Sequence, residues 1–171
     1  MQFQEIIQYT ENLNVLYIEE DLTTIKNSIE QLNIFFNNID VEMDGESALE
    51  TYKRNFYQTG KYYDIIITES NLPVIDGDIL IGKMKKLNPD QVIIVLSSKA
   101  EENKLISFIK NGVQDFIKKP IVMMELQDSL YSVSRNLISK KNIEDEHKIN
   151  KIDNHDVGEE DEFNIAYNIL C

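Results

Sequence analysis

Residues 63–77 read Tyr63-Asp64-Ile65-Ile66-Ile67-Thr68-Glu69-Ser70-Asn71-Leu72-Pro73-Val74-Ile75-Asp76-Gly77, and they decide the fold. The apolar run 65–67 predicts a strand buried in a parallel sheet. Glu69 follows just past the predicted strand end, and Asp76-Gly77 turns the chain toward a helix. In open parallel sheets, ligands and chemistry gather at the carboxyl ends of strands, so Glu69 is a functional candidate. The alternative is an ordinary solvated loop acid.

Strand-like and helix-like segments alternate on both sides of this stretch. The other predicted strands are 15–18, 39–43, 92–96 and 113–117. The predicted helices span 22–37, begin at Glu46, follow Gly77, span 101–111 and begin near Val122. This alternation predicts an α/β fold: a doubly wound five-stranded parallel sheet, flavodoxin-like, with helices on both faces. We expect the strand order 2-1-3-4-5.

Apolar residues at helical spacing predict which side of each helix faces the core. The inward sets are Ile25, Ile29, Leu32 and Phe36; Ala48, Leu49 and Tyr52; Leu80, Met84 and Leu87; Leu105, Phe108 and Ile109; and Met123, Leu126, Leu130, Val133 and Leu137. Gly112 is expected to end the helix before the fifth strand.

Changes in composition along the chain predict three segments. Residues 1–13 form an N-terminal leader whose apolar residues predict a short helical turn packed on the domain. Residues 14–141 form the main domain. Residues 142–171 form an acidic linker, within which 163–170 have the pattern of a short C-terminal helix.

The overall composition limits the classes of function. The chain has 171 residues, a net charge of −13 and a single cysteine, Cys171. The negative charge argues against direct nucleic-acid binding. No apolar run is long enough to span a membrane and no secretory signal is visible, so we expect no membrane partner and a cytoplasmic location.

Polar side chains cluster at the predicted strand ends. The first strand ends in Glu19, Glu20 and Asp21, the third at Glu69, the fourth at Ser97 and the fifth at Lys119. Acids from two adjacent strands should therefore meet, and charges about 4 Å apart repel by roughly 4 kcal/mol at a dielectric near 20. Lys119, a bound cation such as Mg²⁺, or protonation of one acid would offset that repulsion.

Four separated motifs resemble the response-regulator receiver domain of two-component signalling over residues 15 to 139. They are Val15-Leu16-Tyr17-Ile18-Glu19-Glu20, Asn71-Leu72-Pro73-Val74-Ile75-Asp76-Gly77, Val95-Leu96-Ser97-Ser98 and Asp115-Phe116-Ile117-Lys118-Lys119-Pro120. Their order along the chain also matches that family, which makes 14–141 a receiver-like domain.

The resemblance implies a role for each site residue. Glu19 and Glu20 would form an acidic pocket that helps to hold Mg²⁺. Glu69 would occupy the position of the aspartate that accepts a phosphoryl group from a histidine kinase. Ser97 and Lys119 would bind the phosphoryl group, and Phe116 would change rotamer on activation. The resemblance also implies a cis bond before Pro120, and a metal contact from the backbone carbonyl of Asn71.

The resemblance further implies partners. These are a histidine kinase or another signalling protein, and an output protein or domain. The output would bind the face made by the fourth helix, the fifth strand and the fifth helix of the alternation. A homodimer is a further candidate assembly. The domain would signal through contacts and would not be an enzyme.

The central residue departs from the family pattern, because position 69 holds glutamate and position 20 holds glutamate where aspartate is usual. Each change adds one methylene, about 1.5 Å of bond length. Misplacing a reacting group by about 1 Å can cost roughly a hundredfold in rate. We therefore expect impaired or phosphorylation-independent signalling, and weak or absent Mg²⁺ at Glu20, Glu69 and the Asn71 carbonyl. Asp21 would be a shorter ligand if the strand end shifted by a residue.

Several alternatives remain open from the sequence. Glu69 could be a natural loss of phosphorylation, a mimic of the phosphorylated state, or an engineered change in a phosphorylatable receiver. The chain could also be the regulatory fragment of a larger response regulator. A small flavodoxin-like enzyme is less favoured, because the loop after the first strand is acidic and would repel a flavin phosphate.

Overall fold

The structure is a computed structural model that describes residues 3–98 and 102–143. Its strands are β1 (Asn14–Ile18), β2 (Asn38–Glu42), β3 (Ile65–Glu69), β4 (Val92–Ser97) and β5 (Asp115–Lys118). Its helices are α1 (Phe3–Thr10), α2 (Leu22–Leu32), α3 (Gly45–Thr59), α4 (Gly77–Leu87), α5 (Glu102–Lys110) and α6 (123–143). In this part of the chain, no helix is long and apolar enough to cross a membrane.

The five strands form one parallel sheet in the order β2-β1-β3-β4-β5. This confirms the predicted α/β, flavodoxin-like topology. Every residue of β3 and β4 is buried, which agrees with their uninterrupted apolar runs. Leu16, Ile66 and Ile93 on one face belong to a core cluster that includes residues of α3, α4 and α5. The alternate residues of β1, β3 and β4 on the other face are buried as well, so the central strands are covered on both faces.

The first predicted helix is shorter than expected. The sequence pattern extended it to residue 37, but α2 ends at Leu32, and Asn33 caps it through its backbone N–H. The amide groups of Phe35 and Phe36 both donate to the carbonyl of Leu32, and both rings are buried. Two adjacent residues point about 100° apart on a helix, so a turn places both rings in the core better than a continuing helix does.

Other predicted details also need correction. Glu69 is the last residue of β3, paired with Leu96 of β4, and does not lie past the strand end. Ile109 was predicted to face inward but is 69% exposed, because its neighbour Phe108 takes the inward position on α5. Leu87, at the end of α4, is exposed too, whereas Ile81 is buried.

The predicted leader forms a helix that packs on the domain. Ile6 of α1 is buried, and the Thr10 hydroxyl donates to the carbonyl of Phe35 at 2.8 Å. Chain contacts divide the molecule after Ser134, within α6. In the second part, residues 135–143 are helical. The predicted boundaries at 13 and 141 stay predictions, and the expected helix at 163–170 lies outside the described residues.

A close backbone contact holds the start of α4 against the end of β3. Asp76 caps this helix, and its carboxylate accepts the N–H of Gly77 at 2.8 Å. A Cβ at position 77 would lie 2.6 Å from the carbonyl oxygen of Ser70 and 2.8 Å from that of Glu69. Only a residue without a side chain allows this approach, so Gly77 sets the position of the loop that follows Glu69.

We predict that Gly77→Ala lowers the free energy of unfolding by about 1–3 kcal/mol, because the added methyl group overlaps two carbonyl oxygens. Gly82→Ala is the matched control, since the nearest atom to a Cβ there is 3.9 Å away. Alanine inside a helix should stabilise that variant by about 0.5–1 kcal/mol. Urea unfolding measures both, and equal effects of the two substitutions would contradict the contact.

Candidate functional site

The carboxyl ends of four strands bring the predicted polar residues together at one edge of the sheet. Glu19 follows β1, Glu69 ends β3, Ser97 ends β4, and Lys119 follows β5. The strand order places β1 and β3 side by side, with β4 and then β5 next to β3. Residues that lie far apart in the sequence therefore share one site.

An ion triad forms the centre of this site. The Lys119 Nζ pairs with Glu19 Oε2 and also with Glu69 Oε2. The side chains of Glu19, Glu69 and Lys119 are only 3%, 8% and 14% exposed. The ammonium group thus offsets the repulsion between the two acids, as one of the sequence alternatives predicted.

Burial disfavours a charged ammonium group and by itself would lower the pKa of Lys119. The hydrogen bonds and negative charges of Glu19 and Glu69 outweigh that effect, so the pKa of Lys119 is raised. The triad therefore keeps a protonated lysine between its two acids. The net charge of the three groups is about −1 when both acids are ionised.

Two serines extend the triad toward β4. Ser70 donates to Glu69 Oε1 from its backbone N–H at 2.7 Å and from its hydroxyl at 2.8 Å. The hydroxyl oxygens of Ser70 and Ser97 are 2.8 Å apart. Both serines are buried. The predicted site residue Ser97 therefore reaches Glu69 through Ser70, which the sequence analysis did not single out.

The two other acids after β1 have different surroundings. Glu20 is exposed. Asp21 caps α2, where its carboxylate accepts the backbone N–H and the hydroxyl of Thr24, both at 2.7 Å. These two hydrogen bonds lower the pKa of Asp21. The predicted acidic pair is thus divided, because Glu19 points into the triad and Glu20 points to solvent.

A second lysine holds the loop that follows β3. Lys104 of α5 pairs with Asp76 Oδ2 at 2.7 Å and donates to the side-chain oxygen of Asn71. Burial raises the pKa of Asp76, but the hydrogen bonds from Lys104 and from Gly77 N–H outweigh it and lower that pKa. The sequence analysis missed Lys104, because nothing in a helical lysine indicates which loop it will meet.

The predicted switch residue Phe116 is half-buried on β5. Its ring centroid lies 5.5 Å from that of Phe108 at an angle of 51°. The peptide bond between Lys119 and Pro120 is cis, as the family resemblance implied. Phe116 therefore lies on the strand that leads to Lys119, and the cis bond directly follows Lys119.

An open cleft of about 890 Å³ lies over these residues. Its lining includes Glu19, Glu20, Glu69, Asn71 and Lys119, together with side chains of α2. Across residues 3–98 and 102–143, no group of three or more His, Cys, Asp and Glu side chains is arranged to hold a metal ion. The cleft nevertheless brings every predicted metal-site residue to one place.

Comparison with known proteins finds relatives that share one domain family. A family model described as the response regulator receiver domain matches residues 15–131. The transcriptional regulatory protein RprY of Bacteroides fragilis is 27% identical over 139 residues, covering 81% of this chain and 56% of that protein. The transcription factor SKN7 of Candida albicans is 25% identical over 75% of this chain and 21% of its own length. The chain thus spans about half or less of these two relatives.

A shorter relative and two solved structures agree. The chemotaxis protein CheY of Thermotoga maritima is 30% identical over 92 residues, covering 54% of this chain and 72% of that protein. A response regulator receiver domain protein from Clostridium thermocellum has a TM-score of 0.63 at 21% identity, covering 77% and 98% of the two chains. A CheX–CheY–BeF3–Mg²⁺ complex from Borrelia burgdorferi has a TM-score of 0.64 at 24% identity, covering 72% and 90%.

We predict that Lys119→Met lowers the free energy of unfolding by about 3–5 kcal/mol, because it leaves two buried carboxylates unpaired. Lys104→Met is the control, since it removes a lysine whose partner Asp76 is 39% exposed. That more exposed pair should contribute at most about 1 kcal/mol. Equal losses of unfolding free energy in the two variants, measured by denaturant unfolding, would contradict this prediction, because the triad would then contribute no more than an exposed ion pair.

The raised pKa of Lys119 predicts a dependence on alkaline pH. A folded-state pKa above the unfolded value means that the stabilisation is complete below about pH 10.5 and is lost as the pH rises through the folded-state pKa. The difference in unfolding free energy between the unmodified protein and Lys119→Met should therefore shrink as the pH rises above about 10.5. Taking the difference cancels the tyrosines, which titrate in both proteins. A difference that stays constant up to pH 12 would contradict the ion triad.

Proposed function

This chain belongs to the family of response regulator receiver domains of two-component signalling, and we propose that it signals without a phosphorylated aspartate. In this proposal, Glu69 occupies the position of the phosphoacceptor, and Lys119 and Ser97 are the residues that a phosphoryl group would otherwise contact. The domain then acts through protein contacts in a conformation that Glu69 holds. The chemistry of Glu69 carries the proposal.

The engagement of both Glu69 oxygens is the observation that supports it most directly. Oε1 accepts two hydrogen bonds from Ser70, at 2.7 and 2.8 Å, and Oε2 pairs with Lys119. An ionised carboxylate has about four lone-pair positions, and three donors already point at this one. Attack on a phosphorus atom would therefore have to use the one remaining lone-pair position or break one of these contacts, in addition to the cost of the extra methylene.

The same contacts bear on Mg²⁺, which receiver domains typically bind. Mg²⁺ requires near-octahedral oxygen ligands at about 2.0–2.1 Å. Glu19 and Glu69 both point at the Lys119 ammonium group, and Asp21 is used as the cap of α2. Glu20 is left as an exposed acid. With Glu69 already paired to Lys119, the proposal includes weak or absent Mg²⁺ binding at Glu20, Glu69 and the Asn71 carbonyl.

The output contact in this proposal is the face made by α5, β5 and the first turn of α6. The two helices that border it carry exposed apolar side chains, among them Ile106 and Ile109 of α5 and Met124 of α6. Where such side chains form a contiguous patch, they favour protein binding. A histidine kinase or another signalling protein, an output protein or domain, and a second copy of the chain are the partners that the proposal considers, in a cytoplasmic setting.

Acetyl phosphate with Mg²⁺, read by intact mass, tests the proposal on the unmodified protein and on Glu69→Asp. We expect no phosphoryl group on the unmodified protein, because both Glu69 oxygens are engaged. We expect one phosphoryl group on Glu69→Asp, because the shorter carboxylate withdraws from Lys119 and regains the reach of an aspartate acceptor.

Glu69→Gln serves as the control, since an amide of the same length cannot accept a phosphoryl group in this way. A phosphoryl group on the unmodified protein that disappears in Glu69→Gln would overturn the proposal. If neither the unmodified protein nor Glu69→Asp reacts, the site has diverged beyond position 69, and Glu20→Asp in the same background is the next variant to measure.

A further inference from the structure

Ser70 connects the two halves of the site, although no family motif points to it. We infer that Ser70 is a positioning residue that holds the Glu69 carboxylate in its ion pair with Lys119. The inference rests on the proposed function in one respect: it treats Glu69 as a fixed partner of Lys119 and not as a reactive group. The inference names the residue that fixes the Glu69 carboxylate and explains how Ser97 connects to that carboxylate.

The geometry of Ser70 supports this role. Its side chain is fully buried, and both of its donors, the backbone N–H and the hydroxyl, point at the same oxygen of Glu69. Oε1 is thereby held on the Ser70 side, and Oε2 is turned toward Lys119. A carboxylate held at both oxygens has one orientation.

The hydrogen-bond directions follow from counting protons. A serine hydroxyl has one proton, and that of Ser70 is donated to Glu69. The 2.8 Å contact between the two serine hydroxyls must then be a donation from Ser97 to Ser70. The hydrogen bonds therefore run from Ser97 to Ser70 and from Ser70 to Glu69. The Ser97 hydroxyl proton is donated to Ser70.

Glutamate needs such a partner more than aspartate does. Its side chain has one more rotatable bond, so fixing the carboxylate costs more conformational entropy. A hydrogen bond to a charged group contributes about 1.5–3 kcal/mol. Since 1.4 kcal/mol corresponds to a factor of ten in an equilibrium constant, loss of the Ser70 hydroxyl should raise the ratio of unpaired to paired Glu69–Lys119 about tenfold or more.

Lysine acylation measures this occupancy without any phosphoryl transfer. Acetic anhydride reacts with an accessible, unpaired amine, and both burial and the ion pairs with Glu19 and Glu69 protect Lys119. The folded protein is labelled below pH 10 and digested, and the rate at Lys119 is measured by mass spectrometry against exposed Lys118 in the same peptide region. We expect Ser70→Ala to raise the relative rate at Lys119 about tenfold.

Two further variants separate positioning from packing. Ser70→Thr keeps the hydroxyl and should restore the protection of Lys119. Ser134→Ala removes another buried serine hydroxyl, which donates only to the Leu130 carbonyl of its own helix, and should leave the Lys119 rate unchanged. If threonine does not fit, Ser70→Cys retains a weak donor and should give a rate between those of serine and alanine.

An unchanged Lys119 rate in Ser70→Ala, with the fold intact by circular dichroism, would overturn the inference. A similar rise in Ser134→Ala would overturn it too, because the effect would then be general loosening. The acetyl phosphate experiment is independent of the labelling experiment. Phosphorylation of the unmodified protein would overturn the proposed function but would not change the Lys119 labelling rates. An unchanged labelling rate in Ser70→Ala would overturn the role of Ser70 but would leave the acetyl phosphate result standing.

Discussion

Burying two carboxylates side by side is the constraint that governs the edge of this sheet. Each ion would lose several kcal/mol of hydration on burial, and their repulsion adds to that cost. One ammonium group, carried on the residue after β5, makes the arrangement stable. It can do so only because the sheet order places the ends of β1, β3 and β5 around one point. The hydrogen bonds from Ser70 to Glu69, and the contact of Ser70 with Ser97, extend this arrangement toward β4.

The single methylene that separates glutamate from aspartate gives this balance its functional meaning. A shorter acid at position 69 would sit farther from Lys119 and leave space between them for another anion. With glutamate, the protein's own carboxylate reaches Lys119 and pairs with it. In the proposed function, this internal ion pair stands where a covalent, reversible signal would otherwise form.

Much of the fold could be predicted because burial leaves a strong mark on composition. The apolar runs of β3 and β4 predicted two central strands, and the acid, serine and lysine at the strand ends predicted which residues would meet. The composition could not show which of two neighbouring residues of similar chemistry is buried. Glu19 and Glu20 look alike in sequence, yet only the backbone direction after β1 decides that one enters the triad. Lys104 and the link from Ser70 to Ser97 were missed because they depend on contacts between distant segments. Ile109 was wrongly predicted to face inward, because Phe108 fills the core position.

The two lysines of the site also differ in how the surrounding solution acts on them. Salt screens exposed charges over a distance of about 8–10 Å at ordinary ionic strength, and screens buried pairs much less. Lys104 holds the Asn71–Asp76 loop through a partly exposed contact, whereas Lys119 lies within the buried triad. Rising ionic strength should therefore loosen the loop while the triad beneath it stays closed. The accessibility of the cleft would then vary with the salt content of its surroundings, independently of the charge balance at its floor.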